Sequence, residues 1–254
     1  VHNILSIIKL LFLVCISING FAQRSDDFFM TAGLHFRPII PSELLRTSSI
    51  EVNGTTGEAN EYLRLTVNQR TGYSFGMIIR QNFNKRFAIE SGINFVRRNF
   101  GLEVLDTDSG FTDTQTFGIS GYEVPLVALV FIRLGDNLYM NTSMGASLDI
   151  GARGVANGTA KIDHYTAVKK VNAAAIANVG FEYRTKKDGS IYIGATYHQP
   201  FGTIADTKIN YFRSSSFSDA SIETPLTGTY LTIDLRYYFH ESAEGRERRR
   251  SKKK

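Results

Sequence analysis

The chain has 254 residues, 43% of them hydrophobic, with one cysteine, no tryptophan and 22 glycines, enough for one large β domain or two small ones. A mean hydropathy of -0.13 does not fit a helical membrane protein. The formal charge is +5, but Lys9 and a net +4 after His240 supply all of it, so residues 23–240 are neutral and a nucleic-acid-binding surface is not expected.

Residues 1–22 read as a signal peptide. Lys9 precedes an apolar run, Leu10 to Ile18, too short to span a bilayer as a helix. Gly20 and Ala22 are small residues placed for cleavage between Ala22 and Gln23. Cys15 lies inside that run behind Val14 rather than a small residue, which favours ordinary cleavage over lipidation. Cleavage leaves no cysteine for a disulfide, a thiolate nucleophile or a cysteine-ligated metal.

Beyond the signal no apolar stretch is long enough for a transmembrane helix, and the dominant pattern has period two. In chain order, eight segments alternate: Phe28 to Arg37, Tyr73 to Arg80, Phe87 to Phe95, Tyr122 to Phe131, Leu138 to Ile150, Val171 to Tyr183, Ile191 to His198 and Leu231 to Phe239. Each approaches the length of a tilted membrane-spanning strand, ~9–11 residues. An even number of spanning strands can close into a barrel, and closure is required because hydrocarbon tolerates no open sheet edge.

The connections alternate in length. Asn84-Lys85, Gly135 to Asn137 and Lys186 to Gly189 have tight-turn chemistry, whereas 39–70, 101–117, 152–170 and 202–227 are long and polar. That rhythm predicts an all-β, eight-stranded antiparallel up-and-down transmembrane β-barrel over 23–240, with short periplasmic turns and long extracellular loops. Asn53-Gly54, between Ile50-Val52 and Leu63-Val67, predicts a hairpin extending the first long loop beyond the membrane.

A soluble barrel would also alternate, but with its apolar face inward. Three features favour the membrane. All eleven lysines fall outside the eight segments, although water-facing strands normally carry lysine. The polar faces hold small residues and opposed charges suited to a filled interior: Arg37, Arg80, Arg98, Arg133, Arg184 and Arg236 against Glu90, Glu123, Asp149, Glu182 and Asp234. Aromatics gather at segment ends, Phe28, Phe83, Phe87, Tyr139, Phe181, Tyr183, Tyr192, Tyr237 and Phe239 at one end and Phe36, Tyr73, Phe95, Tyr122, Tyr197 and Tyr230 at the other, like two interfacial girdles.

Three stretches carry a family resemblance: the signal ending Gly20-Phe21-Ala22-Gln23, the strand start Tyr122-Glu123-Val124-Pro125-Leu126, and the turn Gly135 to Asn137 leading into Leu138 to Gly151. Together with the last strand they make the chain resemble the outer-membrane β-barrel domain of Bacteroidota, of small OmpA/OmpX-like and PorT-like architecture. The resemblance implies the cell outer membrane and, for a PorT-like member, an accessory role in type IX secretion. The sequence departs from that pattern in two places. Pro125 lies within a strand and is expected to mark a bulge. The last aromatic, Phe239, is followed by the basic tail 241–254, expected to be disordered and periplasmic.

Catalysis finds little support. His35, Ser74, Glu90 and His198 fall on polar faces, where each histidine is expected to be satisfied by interior hydrogen bonds. No His-x-Ser pair of the lipid A deacylase type stands near the last strand, and no phosphate loop or metal-ligand spacing follows the signal. The expected protein is a noncatalytic barrel with no cofactor. Its expected partners are outer-membrane lipid, periplasmic chaperones and the barrel-insertion machinery, and an extracellular or secretion-system partner. The alternatives are a narrow channel or secretion component, and a lipid-modifying enzyme.

Overall fold

The computed structural model describes residues 29–42, 49–53, 63–152, 154–159, 161–185, 189–212 and 220–240. The signal, its Ala22–Gln23 junction, Phe28, the Asn53-Gly54 turn, most of the Lys186 to Gly189 turn and the basic tail therefore lie outside or at the limit of what is described. The strands are β1 (Phe29–Pro41), β2 (Ser49–Asn53), β3 (Leu63–Asn82), β4 (Phe87–Asp106), β5 (Phe111–Arg133), β6 (Leu138–Gly151) and β7 (Val155–Gly158), followed by β8 (Ile162–Val168), β9 (Val171–Arg184), β10 (Ser190–Pro200), β11 (Ala205–Tyr211), β12 (Ala220–Leu226) and β13 (Tyr230–Tyr238). Among the described residues no helix is long and apolar enough to cross a membrane.

Eight strands close into a barrel in the order β1-β3-β4-β5-β6-β9-β10-β13, every neighbour antiparallel. The seam is the β1–β13 ladder, from Gly33↔Tyr238 to Pro41↔Tyr230. Each predicted segment falls on one of these eight strands, apart from the end residues Phe28, outside the described residues, and Phe239, one past β13. Closure leaves no edge within the ring, as strands in hydrocarbon require.

The faces are those of a membrane barrel. In β13, Leu231, Ile233, Leu235 and Tyr237 point outward, while Tyr230, Thr232, Asp234, Arg236 and Tyr238 are buried inside. Met144, Ile193 and Met77 are 72%, 58% and 62% exposed on the outer wall, which excludes the soluble barrel with its inward apolar face.

Where they are described, the long connections are largely β-structure, a pairing expected only for Ile50-Val52 with Leu63-Val67. β3, β4 and β5 run 20, 20 and 23 residues, about twice what a tilted span needs. The stretch 101–117 is thus the tip of a continuous β4–β5 hairpin. β2 pairs with the projecting part of β3, from Ser49↔Asn68 to Asn53↔Arg64. The stretches 152–170 and 202–227 supply a second antiparallel sheet, β12-β11-β8-β7. Its strand β11 carries Lys208, outside the barrel wall.

The second sheet packs on the projecting strands over an apolar core. Leu63, Leu65, Val67, Phe100, Leu102, Val104, Phe117 and Ile119 from β3–β5 meet Ile162, Ile209, Tyr211, Ile222 and Leu226 from the other sheet. The result is a small β-sandwich with ordinary polarity, apolar side inward.

One irregularity joins the two polarities. The β3–β4 ladder shifts between Arg70↔Asn99 and Tyr73↔Arg97, so Thr71 and Gly72 oppose a single residue. Below this bulge, Tyr73, Phe75, Met77 and Ile79 face outward; above it, Leu63, Leu65 and Val67, of the same parity, face the sandwich core. One extra residue turns every later side chain to the other face.

Pro125 does not mark a bulge. The β4–β5 offset is the same at Ser91↔Leu126 and Asn94↔Glu123 on either side of it, and Pro125 pairs with Ser147 on β6. Proline has no N–H to give. The β4 ladder pauses there, and the Ser91 hydroxyl donates to the Pro125 carbonyl at 2.8 Å.

Candidate functional site

The alternation that sends leucines to the wall sends arginines and carboxylates into the barrel. Arg37, Arg80, Arg98, Arg184 and Arg236 face Glu90, Glu123, Asp149, Glu182 and Asp234, five charges of each sign. Arg133 does not join them. At the end of β5 its side chain is 62% exposed and pairs with Asp136 in the following turn at 2.9 Å. Its parity matches the interior, but it stands past the barrel mouth.

Toward the short-turn end the charges form a chain. Arg80 bridges Glu182 (2.6 Å) and Glu90 (3.2 Å), and Arg236 bridges Glu90 (2.7 Å) and Asp234 (2.5 Å). Arg184 meets Glu182 at 2.6 Å from the rim, over the rings of Tyr139 and Phe131. The Tyr238 hydroxyl donates to Glu90 at 2.8 Å, and the Arg80 guanidinium lies 3.7 Å from the centre of that ring. Buried charges survive in such a place only when paired and hydrogen-bonded.

The middle layer is held by Asp234, which accepts from Thr196 (2.6 Å) and Thr232 (2.5 Å) and lies 3.4 Å from Arg37. His35 contacts Asn94 at 2.7 Å. Ser74 is buried on the same inner surface. Tyr192 donates to Asn178 at 2.8 Å, its ring accommodated by the paired glycines Gly180 and Gly194. Tyr192, Tyr230 and Tyr139 therefore belong to the inner face, not to the aromatic girdles. Each shares the parity of its strand's polar face, and aromatic character near a strand end outweighed parity in the prediction.

At the long-connection end Arg98 contacts Glu123 (2.8 Å) and Asp149 (3.3 Å). His198 approaches the same carboxylates, 3.2 Å from Asp149 and 3.5 Å from Glu123, and stacks on Tyr230 with centroids 4.6 Å apart. Tyr230 donates to Glu123 at 2.7 Å, and Ser147 to Asp149 at 2.8 Å. Glu123, Asp149 and His198 offer ligand atoms within 4.8 Å of one another. The Arg98 guanidinium already holds the cationic position between the two carboxylates, so a metal ion would have to displace it. Nor is the Ser147–Asp149–His198 cluster a nucleophilic triad. Serine and histidine both bond the aspartate, whereas a triad places the histidine between the other two.

A closed eight-stranded ring with an apolar outer wall and a paired-charge interior is the architecture of a small outer-membrane barrel. The sequence profile of the outer membrane protein beta-barrel domain matches residues 21–206. The chain belongs to that family. It is a protein of the outer membrane.

Among solved structures, the outer membrane protein OprG from Pseudomonas aeruginosa superposes with a TM-score of 0.54 at 11% identity, covering 84% of this chain and 96% of that one. At that identity the likeness extends to the fold alone. The transport unit of the autotransporter AIDA-I from Escherichia coli aligns at a TM-score of 0.30 and 11% identity, over 87% of this chain and 91% of that one, too low to bear on the fold. No curated protein is detectably similar in sequence.

Within this outer-membrane barrel domain, sequence reasoning placed most of the charged residues on the inner face without assigning the neutral residues that bond them. Tyr230, Tyr238, Asn94, Asn178, Thr196, Thr232 and Ser147 complete the network. Their parity with the charged residues was the available signal. The sandwich was also missed as a unit, although Phe100, Leu102 and Val104 alternate as plainly as any barrel segment.

Proposed function

We propose that this outer-membrane barrel is noncatalytic and works through the β-sandwich on its long-connection end, which presents a folded binding surface to the cell exterior. Short turns of such barrels face the periplasm, so the sandwich faces outward. The observation that carries the reading is the second sheet with its own apolar core, from Leu63 and Phe100 to Ile209 and Ile222. A barrel serving only as an anchor or a channel has no need of a packed external module.

The interior supports a closed barrel rather than a conduit. Side-chain bonds cross the lumen at two levels: Arg80 on β3 reaches Glu182 on β9 and Arg236 on β13 reaches Glu90 on β4, while Tyr230 on β13 reaches Glu123 on β5 and His198 on β10 reaches Asp149 on β6. Eight strands leave room for little besides side chains. A PorT-like secretion role uses the same surface and differs in the identity of the partner, and neither OprG-like folding nor family membership selects it.

Planar-bilayer recording of the purified protein tests this reading, together with antibody labelling of epitopes inserted in the 107–110 turn and in the 135–137 turn. Labelling of intact cells only at 107–110, with no steady conductance, is the expected outcome. A stable single-channel conductance would replace the binding role with transport, and labelling only at 135–137 would invert the topology.

A further inference from the structure

The outer surface of β3–β5 carries an open groove of about 760 Å³, lined among others by Pro41, Arg70, Thr71, Arg97 and Asn99. Two of these are arginines pointing away from the protein on a wall that is otherwise apolar just below. Arg97 is directly opposite Tyr73 in the β3–β4 ladder and one outward position beyond Phe95 on its own strand. Tyr73, Phe95 and Tyr122 form a continuous ring cluster, with centroids 6.3 and 5.9 Å apart. Such a row of lipid-facing aromatics marks the membrane–water interface. Arg97 therefore stands one step above it, with its guanidinium over Gly118, which pairs with Asn99, and Arg70 reaches over Gly101, further outward, so both groups lie on the water side of the ring row, toward the lipid headgroups.

The two arginines are laid down on the sheet rather than waving in solvent. Arg70 rests across Gly101 and Arg97 across Gly118. A Cβ at Gly118 would come within 2.9 Å of the Arg97 Nε, and one at Gly101 would overlap the Arg70 guanidinium. Only a residue without Cβ leaves that room. Arg97 Nε donates to Asn99 Oδ1 at 3.3 Å, and Asn99 is itself fixed by donating to the Thr71 carbonyl at 2.8 Å. Thr71 is in the bulge, so the irregularity that switches the faces also sets this cradle. Glu103 lies 3.8 Å from Arg70, both half-exposed, and among the described residues no carboxylate pairs with Arg97.

We propose that this groove binds the phosphate-bearing headgroup of an outer-leaflet lipid, clamped between Arg70 and Arg97 with its acyl chains against Tyr73, Phe95 and Tyr122. A planar guanidinium gives two parallel donors to a phosphate, which a lysine cannot do. Holding both forks flat beforehand lowers the ordering cost of binding. A lipid is favoured over a soluble anion because the arginines adjoin the apolar wall, where the chains gain contact and a free ion gains none. The proposal rests on the barrel's place in the membrane and is independent of what the sandwich binds.

Native mass spectrometry of the full-length protein in detergent, titrated with bisphosphorylated lipid A, tests it. The wild type is expected to retain one lipid. The R70Q/R97Q variant is expected to bind at least about tenfold more weakly, as loss of charge-assisted bonds dictates. R133Q, which removes an exposed arginine from the opposite end, should bind like the wild type. G118A keeps every charge but displaces Arg97, so weaker binding by G118A identifies the cradle rather than bulk charge. An SDS mobility assay confirms that each variant is folded before titration. Equal binding by R70Q/R97Q and wild type, equal retention of dephosphorylated lipid, or full competition by equimolar inorganic phosphate would each overturn the proposal.

Discussion

Glu90 shows what a single interior side chain does in this barrel. It takes Arg80 on one oxygen, Arg236 on the other, and the Tyr238 hydroxyl beside them. Neutralising it would strand two guanidinium groups with one carboxylate each, Glu182 and Asp234. Removing one partner from such a network costs about 3–5 kcal/mol. E90Q should therefore lower the temperature at which the compact, SDS-resistant band converts to the unfolded one, without altering insertion. An unchanged conversion temperature would mean that the lumen is wet enough to solvate the pair. At this scale the sequence was legible where charge and parity agreed, as at Glu90, Asp234 and Arg236. It misled at Arg133, where parity continued after the barrel had ended, and at Tyr192 and Tyr230, because a tyrosine suits an interface and a filled lumen equally well.

Among the elements, β3 joins two environments of opposite polarity. Its apolar residues, the inward Ile78 excepted, keep odd numbers from Leu63 to Ile79, and only the extra residue at Thr71-Gly72 lets one parity serve both a sandwich core and a lipid-facing wall. β4 solves the same problem differently: its inward positions change from Glu90 and Asn94 to Phe100, Leu102 and Val104 without any shift. Deleting Thr71 should thus force one half of β3 to turn over. The expected result is a barrel that still resists SDS, while external protease cuts within the paired stretches 97–105 and 112–120, where the wild type is expected to resist; continued resistance would show that the ladder can absorb the shift elsewhere. A second consequence concerns His164, buried against Phe117 and hydrogen-bonded to Thr166 in the sandwich core. Burial holds its imidazole below the usual 6.5, so the unfolded chain takes up the proton first. Its neutral ring supports the sandwich fully above about pH 6.5, and that support declines as pH falls through and below this value. Amide exchange in β8 and β11, corrected for intrinsic rates, should show easier opening at pH 5 than at 7.5, and H164Q should flatten the difference. Neither the bulge nor the sandwich was read from sequence, because a period-two pattern reports that a strand has two faces and not which face meets which solvent.

For the whole molecule, one chain carries a membrane barrel with its apolar side out and a sandwich with its apolar side in, sharing the strands β3, β4 and β5. Closure and location were legible from the eight alternating segments, the rhythm of turns and the absence of lysine from the barrel wall. The partner surface was not, since Ser- and Thr-rich connections look alike whether they are irregular or paired into a sheet. The shared strands make the account testable at one stroke by spin labels placed singly along β3 in the reconstituted protein, reading accessibility to oxygen and to a water-soluble nickel complex. Labels at 73, 75, 77 and 79 should favour oxygen, labels at 64, 66 and 68 should favour nickel, and labels at 63, 65 and 67 should be shielded from both. If 63, 65 and 67 instead follow 73 to 79 into lipid, the strand has no bulge, the sandwich has no core, and the account is wrong.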